Sequence, residues 1–295
     1  MAAPTRRCGV VVGVDGSSPS KLAVDWAVRE AAMRKRPLTI VHVVQPPPVQ
    51  LWPEMPVPAE LLEQFEKDGQ AILRAAEKIA QRAVDDSAVE VKTEIVTAGA
   101  LPSLIELSKE ADMIVVGCRG LGAVKRRLLG SVSAGLIRHA DCPVAVIHDE
   151  VPLTAEHATA PVVVGIDGSP GSELATAIAF DEASRRGVQL IAVHAWSDFA
   201  VDALPGVEWT DLQTEAEQAL ASRLAGWQEQ YPDVTVRRVV VPDRPARQLL
   251  EQSEKAQLTV LGNRGRGGFA TMLLGSVSTA VAESARTPVI VARPS

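Results

Sequence analysis

The sequence predicts an α/β protein of two tandem domains, each a five-stranded parallel sheet of order 3-2-1-4-5 with helices on both faces. Three observations carry that expectation. Short apolar runs alternate with segments of helical period, as parallel strands joined by crossover helices require. The opening motif occurs twice, VVVGVDGSSPS from Val10 and VVVGIDGSPGS from Val162. A glycine loop also occurs twice, GCRGLGAVKRRLLGSVS from Gly117 and GNRGRGGFATMLLGSVS from Gly262, both in the frame G-x-x-G-x9-G-S-V-S.

In the first half, Val10 to Val14 reads as strand one. Ser20 to Lys35 reads as a helix, with Leu22, Trp26, Ala27 and Glu30 at helical spacing and Pro37 beyond its end. Leu38 to Val44 is strand two. Leu61, Phe65, Ile72, Ala76, Ile79 and Ala83 keep three- and four-residue steps and predict a long amphipathic helix despite Gly69. Val89 to Val96 follows as strand three, Pro102 to Lys109 as a short helix and Met113 to Gly117 as strand four. After the glycine loop come a helix from Ser131 to His139 and strand five from Pro143 to His148. The second half repeats this plan.

Asp15 and Asp167 lie 152 residues apart, whereas Gly117 and Gly262 lie 145 apart. The extra residues of the first half belong to the proline-rich stretch from Gln45 to Pro58, where prolines forbid a regular element. Polar and turn residues from His148 to Pro161 mark a break in periodicity. The expected boundaries are domain one at 1–149, a linker at 150–160 and domain two at 161–295.

Strand order follows from patterning, because a strand buried on both faces is continuously apolar. Strands one and four are continuous, while VEVKTEIV and VTVRRVVV are mixed and suit an edge. Strand four therefore returns beside strand one, and the switch point falls between them. Ligands of open α/β sheets bind there, off the carboxyl ends of the strands. Asp15 ends strand one and Gly117 ends strand four, so carboxylate and loop converge, as do Asp167 and Gly262. Strand five of each half is apolar yet terminal in this order, and an uncovered apolar edge invites association. Pairing of the two domains as an intrachain pseudo-dimer is the expected cover, with a homodimer of whole chains as a further option.

A glycine turn that leaves a strand and meets a hydroxyl residue at a helix start suits phosphate. Backbone N–H groups approach an anion closely where no side chain intervenes, and the helix start adds unpaired donors. Ser131 and Ser276 also read as ordinary N-caps, which is compatible with that role. Arg119 and Arg264, inside the turns, are within reach of a phosphate or simply solvated. The run Lys125, Arg126, Arg127 has no counterpart in the second loop, so equal affinity of two sites does not follow. If the Gly117 and Gly262 N–H groups lie against a ligand, alanine there should weaken binding and leave the fold nearly intact.

Composition narrows the classes. With 295 residues, 46% hydrophobic and 22% charged, the chain is globular. A formal charge of -6 argues against a nucleic-acid backbone or an anionic membrane surface as partner. Three cysteines without C-x-x-C spacing, no apolar run of about 18 residues and no signal-like start predict a cytoplasmic protein. Cys118 is read as a small residue tolerated in the first turn, a redox-sensitive thiol being the alternative. His42 and His194 recur at the end of strand two as hydrogen-bonded fillers or neighbours of a ligand. No His, Cys, Asp or Glu grouping has metal-ligand spacing.

VVVGVDGS, VHVV, the G-x-x-G-x9-G-S-V-S loops and HADCPVAVI resemble the universal stress protein family over nearly the whole chain. The resemblance implies a flavodoxin-like, Rossmann-like fold and places both halves with the members that bind ATP. It implies that Asp15 and the segment around Val41 hold the adenosine end, with Gly117, Gly120 and Gly130 around ribose and phosphates; Gly13 and Arg119 join them as candidates. Ser131, Val132 and Ser133 would meet phosphate through hydroxyl and backbone N–H. The matching positions are Asp167, Val193, Gly262, Gly265, Gly275, Ser276, Val277 and Ser278, with Gly165 and Arg264 as the candidates equivalent to Gly13 and Arg119. A magnesium ion would arrive with the nucleotide and bind mostly through phosphates.

The expected function is therefore a nucleotide-dependent regulator or sensor in the stress response. A slow ATPase or phosphotransferase is the alternative, and a scaffold with incidental pockets a third. Neither G-x-x-x-x-G-K-[ST] nor a kinase signature set is present, GSVSAG is not a G-x-S-x-G elbow, and no base is evident to orient water. At most weak hydrolysis is expected. No G-x-G-x-x-G follows either first strand, which disfavours a dinucleotide oxidoreductase.

Overall fold

A computed structural model describes residues 9–45, 59–84, 89–120, 129–148, 158–195, 209–242, 244–265 and 273–294. They belong to two compact units that divide between Asp149 and Glu150. The proline-rich stretch after Gln45, the basic run at 125–127 and most of the expected linker lie outside the described residues.

The first unit runs β1 (Gly9–Val14), α1 (Ser18–Arg34), β2 (Leu38–Val44), α2 (Ala59–Ala83), β3 (Val91–Thr97), α3 (Ala100–Ser108), β4 (Ala111–Gly117), α4 (Ser131–His139) and β5 (Val144–Ile147). In it β1 pairs with β2 and β4, β2 with β3 and β4 with β5, all parallel. The order is β3-β2-β1-β4-β5, as the patterning predicts. Strands β1 and β4 are buried almost throughout, whereas Lys92, Thr93 and Glu94 of β3 are exposed.

The second unit repeats the plan with β6 (Val162–Gly165), α5 (Pro170–Arg186), β7 (Leu190–Ala195), α6 (Trp209–Gln230) and β8 (Val236–Val241). It continues with α7 (Pro245–Ser253), β9 (Leu258–Gly262), α8 (Ser276–Ser284) and β10 (Val289–Ala292). Parallel pairings of β6 with β7 and β9, β7 with β8, and β9 with β10 give the order β8-β7-β6-β9-β10.

Helix α1 starts two residues earlier than the periodicity suggests, because Ser17 caps it. The Ser17 Oγ accepts from Ser20 N at 3.3 Å, and Pro19 in the first turn supplies a helical φ without a wasted N–H. Its buried stripe is Ala23, Val24, Ala27, Val28 and Ala31, while Leu22 and Trp26 are only half-buried. Small residues let the helix lie close to the sheet, so the large apolar side chains flank the contact instead of forming it. Glu30, chosen above only for its spacing, sits in that stripe, fully buried and paired with Arg34. Glu182 and Arg186 repeat the pair on α5 at 2.9 Å.

A core hydroxyl in the second unit lacks a hydrogen-bond partner. Thr259 on β9 is fully buried and its hydroxyl has no hydrogen bond, whereas the equivalent strand position in the first unit is Ile114. A buried unsatisfied hydroxyl costs roughly 1–3 kcal/mol. Thr259→Val keeps the shape and removes the polar atom, so the urea midpoint should rise, equivalent to about 1 kcal/mol; an unchanged or lowered midpoint would show that the hydroxyl is satisfied in solution.

Candidate functional site

The carboxyl ends of β1 and β4 meet as the sequence predicts. Gly13 pairs in register with Val41 on one side and Val116 on the other, so the last turn of β1 lies between β2 and β4. Asp15 follows at the strand end. Its Oδ1 accepts from Ser17 N at 3.0 Å, closing the turn that leads into α1. Asp167 Oδ1 accepts from Ser169 N at 2.9 Å in the second unit.

A cavity of about 650 Å³ opens at this switch point in the first unit. Its wall includes all ten residues singled out in that half: Gly13, Asp15, Val41, Gly117, Arg119, Gly120, Gly130, Ser131, Val132 and Ser133. Sites for small molecules typically run from about 300 to 1,000 Å³, so the space suits one such ligand. The sequence reading missed the apolar part of the wall, Val43, Ala100, Leu104, Val116 and Leu129. These residues read as core from periodicity alone, and only the crevice shows that they are shared between core and cavity.

The polar end of the cavity is the start of α4. Its N-cap is Gly130, which has no side chain to occupy the free N–H groups of the first turn. The Gly130 N–H itself is committed, donating to Cys118 O at 2.8 Å. Ser133 is buried, and its hydroxyl donates to Cys118 O at 3.0 Å and Gly130 O at 3.2 Å. That hydroxyl therefore holds the loop together, and the backbone N–H groups of Ser131, Val132 and Ser133 are the donors suited to an anion. In the second unit Gly275 likewise caps α8 without a side chain, its N–H donating to Asn263 O at 2.8 Å. Ser278 Oγ there donates to Gly262 O at 2.6 Å.

The glycines divide into distinct roles. A methyl group on Gly117 would lie 2.8 Å from Pro19 C and Cβ and 2.9 Å from Ser20 N. On Gly262 it would lie 2.6 Å from Gly171 C and 2.9 Å from Ser172 N. Both glycines are thus required by the backbone at the start of α1 or α5. The expectation that alanine there leaves the fold nearly intact is corrected. On Gly120 a methyl would lie 2.5 Å from Asp15 Oδ2, and Gly265 stands in the same relation to Asp167. At Gly13 it would lie 3.1 Å from Leu104, and at Gly165 3.0 Å from Leu261. Among the described loop glycines, only Gly130 and Gly275 have room, with nearest atoms at 3.4 and 3.6 Å.

Other predicted residues fall in place around this frame. Val193 is buried and pairs with Gly165, as Val41 does with Gly13. Val277 lies in the first turn of α8 beside Ser276. Arg119 is half-buried in the cavity wall, and Arg264 is exposed. His42 Nδ1 lies 2.8 Å from Val14 O, and His194 Nδ1 lies 2.6 Å from Ile166 O. A carbonyl only accepts, so each ring carries its proton on Nδ1 and fastens the end of its strand. Gly69 makes room for that arrangement: a methyl there would lie 2.9 Å from His42 Cδ2, which explains a glycine inside α2. Cys118 is buried.

Comparison with known proteins agrees with the fold. The model of the Universal stress protein family matches residues 9–148 and 159–293, one match per unit. A universal stress protein of Mycobacterium tuberculosis is 56% identical over 296 residues, covering all of both chains. A second protein of that name from the same organism is 53% identical, over all of this chain and 99% of its own. Among solved structures, a universal stress protein from Archaeoglobus fulgidus superposes with a TM-score of 0.70 at 19% identity, over 98% of this chain and 97% of its own. That likeness supports the fold.

Proposed function

The chain belongs to the universal stress protein family, and from that premise we propose that it is an ATP-binding regulator or sensor in the stress response, with one adenine nucleotide site per domain. One observation carries the reading: the open N–H groups at the start of α4, the apolar wall around Leu104 and Asp15 line one cavity. Phosphates need the first, a purine the second, and ribose or an exocyclic amine an acceptor such as Asp15. The N–H groups of Ser131, Val132 and Ser133 would hold phosphate, with Arg119 adding charge. Val41, Val43 and Leu104 would exclude water from the base. Asp167, Arg264 and the start of α8 supply the same set in the second unit.

The residues fit the nucleotide, which would bring its own charge and any magnesium through its phosphates. The reading assigns no catalytic step to the protein. Asp15 is the one carboxylate among the lining residues, and its Oδ1 serves the turn to Ser17. The sparse cysteines favour a cytoplasmic setting, and no helix among the described residues is long and apolar enough to cross a membrane.

Calorimetric titration of the full chain with ATP tests the proposal. Two sites are expected in the wild type, with Asp15→Ala or Asp167→Ala weakening one site at least tenfold, or about 1.4 kcal/mol. Unchanged titration of the double variant would refute the assigned site.

A further inference from the structure

We propose that Ser17 and Ser169 are positioning residues that latch each glycine loop to the turn beneath it, holding the loop ready for ligand; this rests on the nucleotide reading above. Both serines lie in the repeated opening motif, but neither is among the candidate ligand-binding residues. Both are buried, at 7% and 8% exposure. Each accepts from the helix that follows: Ser17 Oγ from Ser20 N at 3.3 Å and Ser169 Oγ from Ser172 N at 3.2 Å. Each also donates across the crevice to a loop carbonyl, Ser17 to Arg119 O at 3.5 Å and Ser169 to Arg264 O at 3.0 Å. The same residues tie back through their backbone N–H to Asp15 and Asp167.

A hydroxyl has one proton and two lone pairs, so one serine can cap a helix and hold a distant carbonyl together. The residue joins three parts of the site: its side chain ties the start of α1 or α5 to the glycine loop, and its backbone N–H holds the Asp turn. The arrangement recurs at equivalent places in two units whose loops differ in sequence, with Cys118 and Leu121 in one corresponding to Asn263 and Arg266 in the other. Recurrence on different loop sequences favours a role in loop placement. With the latch closed, the backbone at Arg119 and Arg264 is already placed, and next to it the Cys118 and Asn263 carbonyls that hold Gly130 and Gly275 at the helix starts. Without it, binding must order the loop and loses affinity by that cost.

Capping alone would make these serines merely structural, and the choice of substitution separates the roles. Glycine is nearly as good an N-cap as serine but has no proton to donate, while threonine keeps both functions. In the full chain, Ser17→Gly/Ser169→Gly should bind ATP about tenfold more weakly, with a urea midpoint close to that of the wild type. Ser17→Thr/Ser169→Thr should restore affinity. If the glycine variant binds as tightly as the wild type, the latch is refuted while the nucleotide reading stands. If affinity and stability fall together and threonine restores neither, the serines are structural and the proposal is overturned. If the wild type itself takes up no ATP, the nucleotide reading fails and the latch with it.

Discussion

Gly117→Ala and Gly262→Ala are expected to destabilise the protein by about 3 kcal/mol each, before any effect on a ligand is considered. The added methyl meets backbone: Pro19 C and Ser20 N around Gly117, and Gly171 C and Ser172 N around Gly262, all within 2.9 Å. Backbone at a capped helix start cannot step aside as the end of a flexible side chain can. Either the helix start or the strand end must move. Ligand affinity should fall as a consequence, and chemical denaturation followed by circular dichroism would show the loss in the absence of nucleotide. Gly130→Ala and Gly275→Ala provide the contrast. Their methyl groups find neighbours no closer than 3.4 and 3.6 Å, so stability should stay within about 1 kcal/mol of the wild type. At Gly130 the methyl lies in the cavity wall, and weakened ATP binding with a retained fold is the expected outcome. A pair of Gly117→Ala and Gly262→Ala proteins as stable as the wild type would contradict the close approach on which this rests.

The second large effect concerns the buried carboxylates. Glu30 and Glu182 are fully buried, each paired with an arginine one turn on, Arg34 and Arg186. Taking a charge out of water is costly, and removing one partner of such a pair typically costs about 3–5 kcal/mol. Arg34→Ala and Arg186→Ala should each lose about 3 kcal/mol of stability, measured from urea unfolding. Replacing both members by apolar residues of similar volume, Glu30→Leu with Arg34→Met, should recover most of the loss, because no uncompensated charge remains. A double variant as unstable as Arg34→Ala would show that the pair holds something more than each other. Each pair lies more than a dozen residues along its helix from the capping Ser17 or Ser169, so stability and not the ligand site is the primary readout.

The strand order and the switch point were legible because each rests on a short-range signal, whereas wall residues such as Val41 and Val132 entered through the family resemblance. Continuous apolar runs mark buried strands, and glycine at a strand end marks a turn. The reasons for individual residues were not legible. Gly117 reads as space for an anion, yet its neighbours are Pro19 and Ser20, which lie about a hundred residues earlier in the chain. Ser133 reads as a phosphate donor, yet its proton serves Cys118 O and Gly130 O. Gly69 reads as a flaw in a helix, until the ring of His42 is found against it. Glu30 fits a helical period, but nothing local says that this polar residue lies on the inner face. The apolar wall around Leu104 was hidden for the opposite reason, since a cavity and a core ask for the same side chains. Long-range packing decides all five, and one sequence carries little trace of it.

The claim that each unit holds an adenine nucleotide is tested most directly by native mass spectrometry of the full chain with saturating ATP. Two nucleotides bound per chain is the expected result, falling to one in Asp15→Ala or Asp167→Ala protein. A chain that stays free of nucleotide at saturating ATP would contradict it.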